Sequence, residues 1–280
     1  MRLIHTETVT EAVARLCREV NRRLSDPVRR ILARARDEEN WPLARHVLET
    51  ILENDQVARR SGRPLCQDTG TILVHIDLGQ EVHLIGAPLA EVVDAGVRQA
   101  YEEGTLRASM VASPLWRENT GDNTPAFLTI DLIPGDRFSL SLMAKGGGSE
   151  NMSSLAMLKP ADGLAGVVRF VVETVERAGP NACPPVVVGV GVGGTLEVAA
   201  RLAKKALFRS PGQPNGHPNL ALLERELLEA VNDLGIGPQG LGGRTTVLWV
   251  AVESAPCHIA SLPVAVNLNC HSIRIGRAEL

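Results

Sequence analysis

The feature that most constrains the fold of this chain is a change of hydrophobic period near residue 62. Before it, Val9, Val13, Leu16, Cys17, Val20 and Leu24 recur at helical spacing with charged residues between them. Asp26-Pro27 reads as an N-cap followed by proline at the first helical position, opening a second helix through about Arg36. A third helix is expected from about Trp41-Pro42, with Ala44, Val47, Leu48 and Ile51 on its buried face. Ser61-Gly62-Arg63-Pro64 ends this region with turn chemistry.

Beyond it the texture is that of strands. Residues 71–78 and 127–133 read as strands, and 138–143 alternates as a half-buried strand should. Val186 to Val190 is a short β-branched run suited to a buried strand, and a last strand is expected over 245–252. Helices are expected near 90–103, 164–178, 195–208 and 219–234, whereas the proline-rich stretch 211–218 cannot be helical. The predicted fold class is α+β (mixed α/β): a helical N-terminal segment packed on a mixed or antiparallel sheet core with helices around it. A single domain over 1–280 is expected, with residues 1–62 as the helical segment and 63–280 as the α/β core.

Composition narrows the function classes. Lys plus Arg number 29 against 32 Asp plus Glu, a net charge of −3, and aromatics are 3% of residues. No global basic charge points to nucleic acid or an anionic membrane, and stacking platforms for single strands are lacking. No apolar run approaches the roughly 18 residues of a membrane span, and the N-terminus has no apolar leader. Five widely spaced cysteines argue against a disulfide framework, so a cytoplasmic protein with free, catalytic or metal-bound thiols is expected.

Four segments carry candidate chemistry. Cys66-Gln67-Asp68-Thr69-Gly70 sets a thiol, an amide, a carboxylate and a hydroxyl in a row before a turn glycine; its plainer reading is a polar turn. Lys145-Gly146-Gly147-Gly148-Ser149-Glu150-Asn151 exposes backbone N–H groups that suit an anion, but the lysine precedes the glycines, so it is no Walker A loop. Gly189 to Gly194 formally satisfies Gly-x-Gly-x-x-Gly, yet the acidic residue that an NAD site requires about 20 positions onward is absent. Cys257-His258 and Cys270-His271 match no standard zinc spacing. Cys17 lies on the apolar stripe of the first helix; spacing does not choose ligands among Cys66, Cys183, Cys257 and Cys270.

Taken together, these segments resemble the α-type region of iron–sulfur class I fumarate hydratases and L-tartrate dehydratases. The matching pieces are Cys66-Gln-Asp-Thr-Gly, Leu106-Arg107-Ala-Ser-Met-Val, Lys145-Gly-Gly-Gly-Ser-Glu-Asn, Cys183-Pro-Pro with its glycine run, and His258-x-Ala-Ser-Leu-Pro through Cys270-His. They occur in family order over nearly the whole chain. The resemblance implies a four-iron, four-sulfur (4Fe–4S) cluster held by Cys66, Cys183 and Cys270, with Cys257 a neighbour. Three thiolates leave one iron open as a Lewis acid, whereas four would close a cluster for electron transfer. It further implies Asp68 and His258 as catalytic residues and Gln67, Arg107 and Gly147 as contacts to a dicarboxylate, with His271 and Arg274 at most supporting the third cysteine. A separate β subunit is implied as well, in an assembly of two α and two β chains.

The expected activity is therefore reversible hydration of fumarate to L-malate, or alternatively dehydration of L-tartrate; the two differ by one hydroxyl, which nothing in the sequence reads. Two rivals belong to other classes: an NAD-dependent oxidoreductase using Gly189–Gly194, and a non-catalytic iron–sulfur scaffold.

Overall fold

A computed structural model describes residues 1–280 as two compact units. The first comprises Met1–Ser25, Asp55–Gly147 and Arg274–Leu280, the second Asp26–Asn54 and Gly148–Ile273.

In the first unit, helix α1 (Thr6–Arg22) and helix α4 (Leu89–Glu103) cover one face of a four-stranded sheet. The strand order is β10 (Ile275–Glu279), β5 (Phe138–Lys145), β2 (Thr71–Gly79) and β4 (Phe127–Ile133). β10–β5 and β5–β2 are antiparallel and β2–β4 is parallel, so the sheet is mixed. Every second residue of β2 and β5 (Ile72, Val74, Ile76; Leu140, Leu142) meets Val9, Val13, Leu16 and Cys17 of α1 and Val93 and Val97 of α4 in one core. This is the pairing of a 3.6-residue stripe with a period of two. A small parallel pair, β1 (Arg2–His5) with β3 (Val82–Ile85), lies beside it.

The second unit has the sheet order β6 (Ser154–Leu158), β9 (Leu262–Asn269), β7 (Val186–Gly193) and β8 (Val247–Ala255). β7 runs parallel to β8 and antiparallel to β9, and β6 is antiparallel to β9. Helices α6 (Gly163–Ala178) and α8 (Pro218–Asn232) pack on Val186, Val188 and Val190. Helix α7 (Leu196–Leu207) lies on the opposite face with Ala199 and Ala203. The unit also contains α2 (Asp26–Glu38) and the short α5 (Gly147–Asn151); α3 (Pro42–Ser61) starts in the second unit and ends in the first.

The α+β class expected from the sequence is the observed one, and the seven helices and five strands anticipated from the hydrophobic periods fall within a few residues of their observed bounds. Six elements go unanticipated: β1, β3, α5, β6, β9 and β10. β9 is the instructive case. All its residues but the first are buried, so it shows no alternation, and its Pro and Asn residues look like loop chemistry. No helix is long and apolar enough to cross a membrane.

Candidate functional site

One end of the first unit's sheet gathers several of the expected residues. The turn Cys66–Gly70 leads into β2, Lys145–Gly147 leaves β5, and Arg274 precedes β10. The register pairs Thr71 with Lys145 and Ile275 with Met143, which holds the three segments at the same end. Asp68 is the hub. Its Oδ1 accepts from the Gly70 amide at 3.0 Å, and its Oδ2 accepts from the Gly147 amide at 2.7 Å. The carboxylate thus faces two fixed backbone N–H donors, one on each oxygen.

The turn is held from several sides. The Tyr101 hydroxyl donates to the carbonyls of Thr69 (3.0 Å) and Gly70 (3.2 Å), and Asn123 Nδ2 donates to the Gly70 carbonyl. Burial pushes the Tyr101 hydroxyl pKa well above the usual phenol range, so it stays a neutral donor. Thr69 Oγ1 donates to the carbonyl of Arg107. This ties the Arg107 segment to the turn. Cys66 and Gln67 are exposed, and with Arg63, Thr69 and Arg107 they line a cavity of about 500 Å³. That size suits a small organic anion, and two guanidinium groups line it.

In the second unit, Cys183 sits in a left-handed turn (φ 55°, ψ 63°) just before β7. Because β9 runs antiparallel to β7, Cys270 returns to the same sheet edge, with Asn269 opposite Val187. The two segments are joined through His271. Its amide donates to the Cys183 carbonyl at 3.3 Å, and its Nδ1 lies 3.0 Å from that oxygen and 3.1 Å from Gln239 Nε2. His271 therefore binds the Cys183 loop directly.

His258 is elsewhere. The loop from Pro256 to Ser261 joins β8 to β9 at the opposite sheet edge, where Ala255 pairs with Gly193. β9 is eight residues long, which puts about 26 Å between the two edges at ~3.3 Å per residue. His258 is exposed and closes a tight turn in which its Nδ1 accepts from the Ala260 amide at 3.1 Å. Cys257, in the same loop, points its thiol at the Ser261 carbonyl.

Two glycine segments resolve differently from their loop readings. Gly147–Asn151 is a short helix, and Glu150 binds Lys204 Nζ at 2.5 and 2.7 Å and Asn267 Nδ2 at 2.9 Å. Gly189 and Gly191 lie inside β7, where an added Cβ would run into the Ala203 and Ala199 carbonyls of α7. Those glycines admit a helix backbone against a strand, and the Gly-x-Gly pattern needs no dinucleotide to explain it.

None of the five cysteines is in a disulfide. Cys17 is fully buried in the first unit's core, and burial pushes its thiol pKa far up. Sequence reasoning misses one cluster: His75 Nε2 lies 3.4 Å from Asp77 Oδ1 and 3.5 Å from Asp131 Oδ2. His75 and Asp77 share a face of β2 by alternation, but only the β2–β4 register brings Asp131 opposite Asp77.

A family model for fumarate hydratase (Fumerase) matches residues 10–279. The chain belongs to the fumarate hydratase (Fumerase) family. Its members include close relatives of this chain over nearly their full length. One, 42% identical over 95% of both chains, is the putative L(+)-tartrate dehydratase subunit alpha of Methanocaldococcus jannaschii. Another, 37% identical over 96% of this chain and 89% of the relative, is the L(+)-tartrate dehydratase subunit alpha of Escherichia coli O157:H7. The family match spans both units and includes every site residue named above.

Proposed function

We propose that this chain is the α subunit of a cytoplasmic iron–sulfur hydro-lyase acting on a small dicarboxylate, with fumarate and L-malate as the pair. The L-tartrate reaction is the second reading, favoured by the names of the two relatives above. The observation that carries the proposal is the corner of the first unit where Asp68, anchored by Gly147 N–H, adjoins the turn that presents Cys66 and Gln67 to the Arg107 cavity.

Cys66, Cys183 and Cys270 are the thiols proposed to hold a 4Fe–4S cluster. The donor set fits: none of the three is in a disulfide, none is fully buried, and Cys183 and Cys270 stand on segments joined through His271. When bound, such a cluster supplies an open iron that acts as a Lewis acid on a hydroxyl or carboxylate oxygen.

The chain's own residues do the rest. Arg107 offers a planar fork to one substrate carboxylate, with Gln67 and the backbone at Gly147 as further hydrogen-bonding groups. Asp68, oriented by two amides, holds or releases the proton of the departing or entering hydroxyl. Hydroxide is a poor leaving group, so this protonation eases its departure as water. His258 is proposed to support the hydroxyl or water on the family resemblance alone, since within the chain it stands at the other end of β9 from Cys270. The group that removes the C–H proton is assigned to a β subunit, and two α with two β chains make the proposed assembly.

Anaerobic reconstitution tests the reading. Iron and sulfide are counted in the wild type and in single Cys66, Cys183, Cys257 and Cys270 to Ala variants, and fumarate and tartrate are assayed with the β subunit present. Unchanged cluster content in Cys183→Ala overturns the ligand assignment. A cluster without activity on either substrate leaves the scaffold reading.

A further inference from the structure

Arg274 is the largest fully buried side chain in the protein, 1% exposed. A guanidinium so placed is expected to face a carboxylate, because an isolated buried charge is costly. Arg274 has none within ion-pair distance. Its Nη1 donates to two neutral oxygens, the Asp68 carbonyl at 2.7 Å and Asn21 Oδ1 at 3.0 Å, and its Nε is buried without a hydrogen-bond partner. Asn21 is itself fully buried, with Nδ2 committed to the Cys17 carbonyl.

The charge lies directly beneath the corner described above. A Cβ on Gly146 would sit 3.4 Å from Arg274 Nη2 and 3.1 Å from Asp68 Oδ2, so guanidinium and carboxylate flank the same space beside a residue that carries no side chain. A dicarboxylate approaching this corner meets the like charge of Asp68. A positive charge behind Asp68 offsets that repulsion without occupying the cavity. The hydrogen bond to the Asp68 carbonyl also fixes the turn that presents Gln67 and Asp68. Neutral acceptors leave this charge to act on the corner, whereas a carboxylate in place of Asn21 would cancel it.

We propose that Arg274 is a positioning residue of the hydro-lyase site, holding the Gln67–Asp68 turn from below and, through a charge that offsets that of Asp68, favouring the binding of a dianion beside it. The inference rests on the function proposed above.

The two contributions separate in the cluster-loaded complex with its β subunit. Asn21→Asp keeps Arg274 and its hydrogen bonds but neutralises it in place; Arg274→Lys keeps the charge and loses the fork. Succinate, a dicarboxylate with nothing to hydrate, is titrated calorimetrically, and kcat, KM and iron content are measured in parallel. Asn21→Asp is expected to weaken succinate and raise KM about tenfold with iron content unchanged. Arg274→Lys is expected to hold succinate affinity near wild type while kcat falls. If Asn21→Asp does not fold, Arg274→Gln replaces it and is expected to show the same loss of affinity relative to Arg274→Lys. Equal succinate affinity in the charge-cancelled variant and the wild type, or no succinate binding by the wild type, overturns the proposal. Succinate binding that follows the charge, with neither fumarate nor tartrate turned over, supports the electrostatic role of Arg274 and overturns the hydro-lyase reading alone.

Discussion

The Gly147 amide donates to Asp68 Oδ2 at 2.7 Å, joining the turn before one strand to the turn after another, 79 residues on. The bond orients a carboxylate that Gly70 holds from its other oxygen. Asp68 is thereby committed to one rotamer with both oxygens on backbone amides, which suits the proton-exchanging role proposed for it.

Asp68→Asn keeps an acceptor for the Gly147 amide but removes the proton-exchanging group. It is expected to lower kcat by about 10²–10⁴-fold, the usual range for a general acid or base. Iron content should stay at the wild-type level; a parallel loss of iron would reassign Asp68 to holding the cluster.

Arg107→Lys retains charge and loses the bidentate fork. A charge-assisted hydrogen bond contributes about 1.5–3 kcal/mol, so KM for the dicarboxylate should rise about 10- to 100-fold. Steady-state kinetics of the assembled enzyme check this, and a change confined to kcat would place Arg107 away from the substrate.

Gly191→Ala puts a methyl against the Ala199 carbonyl of α7. Overpacking of this kind destabilises by about 1–3 kcal/mol, read as a lower Tm. Wild-type protein should show no heat of NAD binding; tight binding would restore the oxidoreductase reading.

Asp122 tests the loop that carries Arg107. Desolvation pushes its pKa up, but bonds from the Thr124 amide and hydroxyl and from Arg98 outweigh this and hold it down, to about 2. A depressed carboxylate pKa contributes stability above the unfolded value, near 3.9, that is lost as pH falls through the folded value. The wild type should therefore exceed Asp122→Asn in Tm at neutral pH, and the gap should close between about pH 4 and pH 2. A gap independent of pH would assign the effect to packing.

Thiol reactivity separates the cysteines. Cys17 is buried with a raised pKa, so iodoacetamide should spare it in the native protein while labelling the exposed Cys66 and Cys257. Mass spectrometry of the apoprotein reads the pattern, and rapid labelling of Cys17 would contradict the packing of α1.

Much of this was legible in order along the chain. The stripe Val9–Val13–Leu16–Cys17–Val20 marks α1 because a helix returns to the same face every three or four residues, and that period survives in a list of letters. The segments bearing Cys66, Gln67, Asp68 and Gly147 were visible as local motifs, whereas Arg107 entered only through the family resemblance. β9 and β10 were not, since a strand buried on both faces or a short edge strand leaves no clear period. The Gly189–Gly194 pattern misled, because close approach of a helix to a strand and close approach of a phosphate to a loop both call for a bare backbone.

By itself the sequence determined the helix and strand periods, the free-thiol character of the chain and the family pattern of its motifs. Only the tertiary structure decided that Arg274 lies beneath Asp68, 206 residues earlier, and that His258 stands at the far edge of the sheet from Cys270. The physical reason is register. Strand pairing brings residues together through backbone hydrogen bonds that any side chain permits, so the letters record which face a residue occupies and not which strand lies beside it.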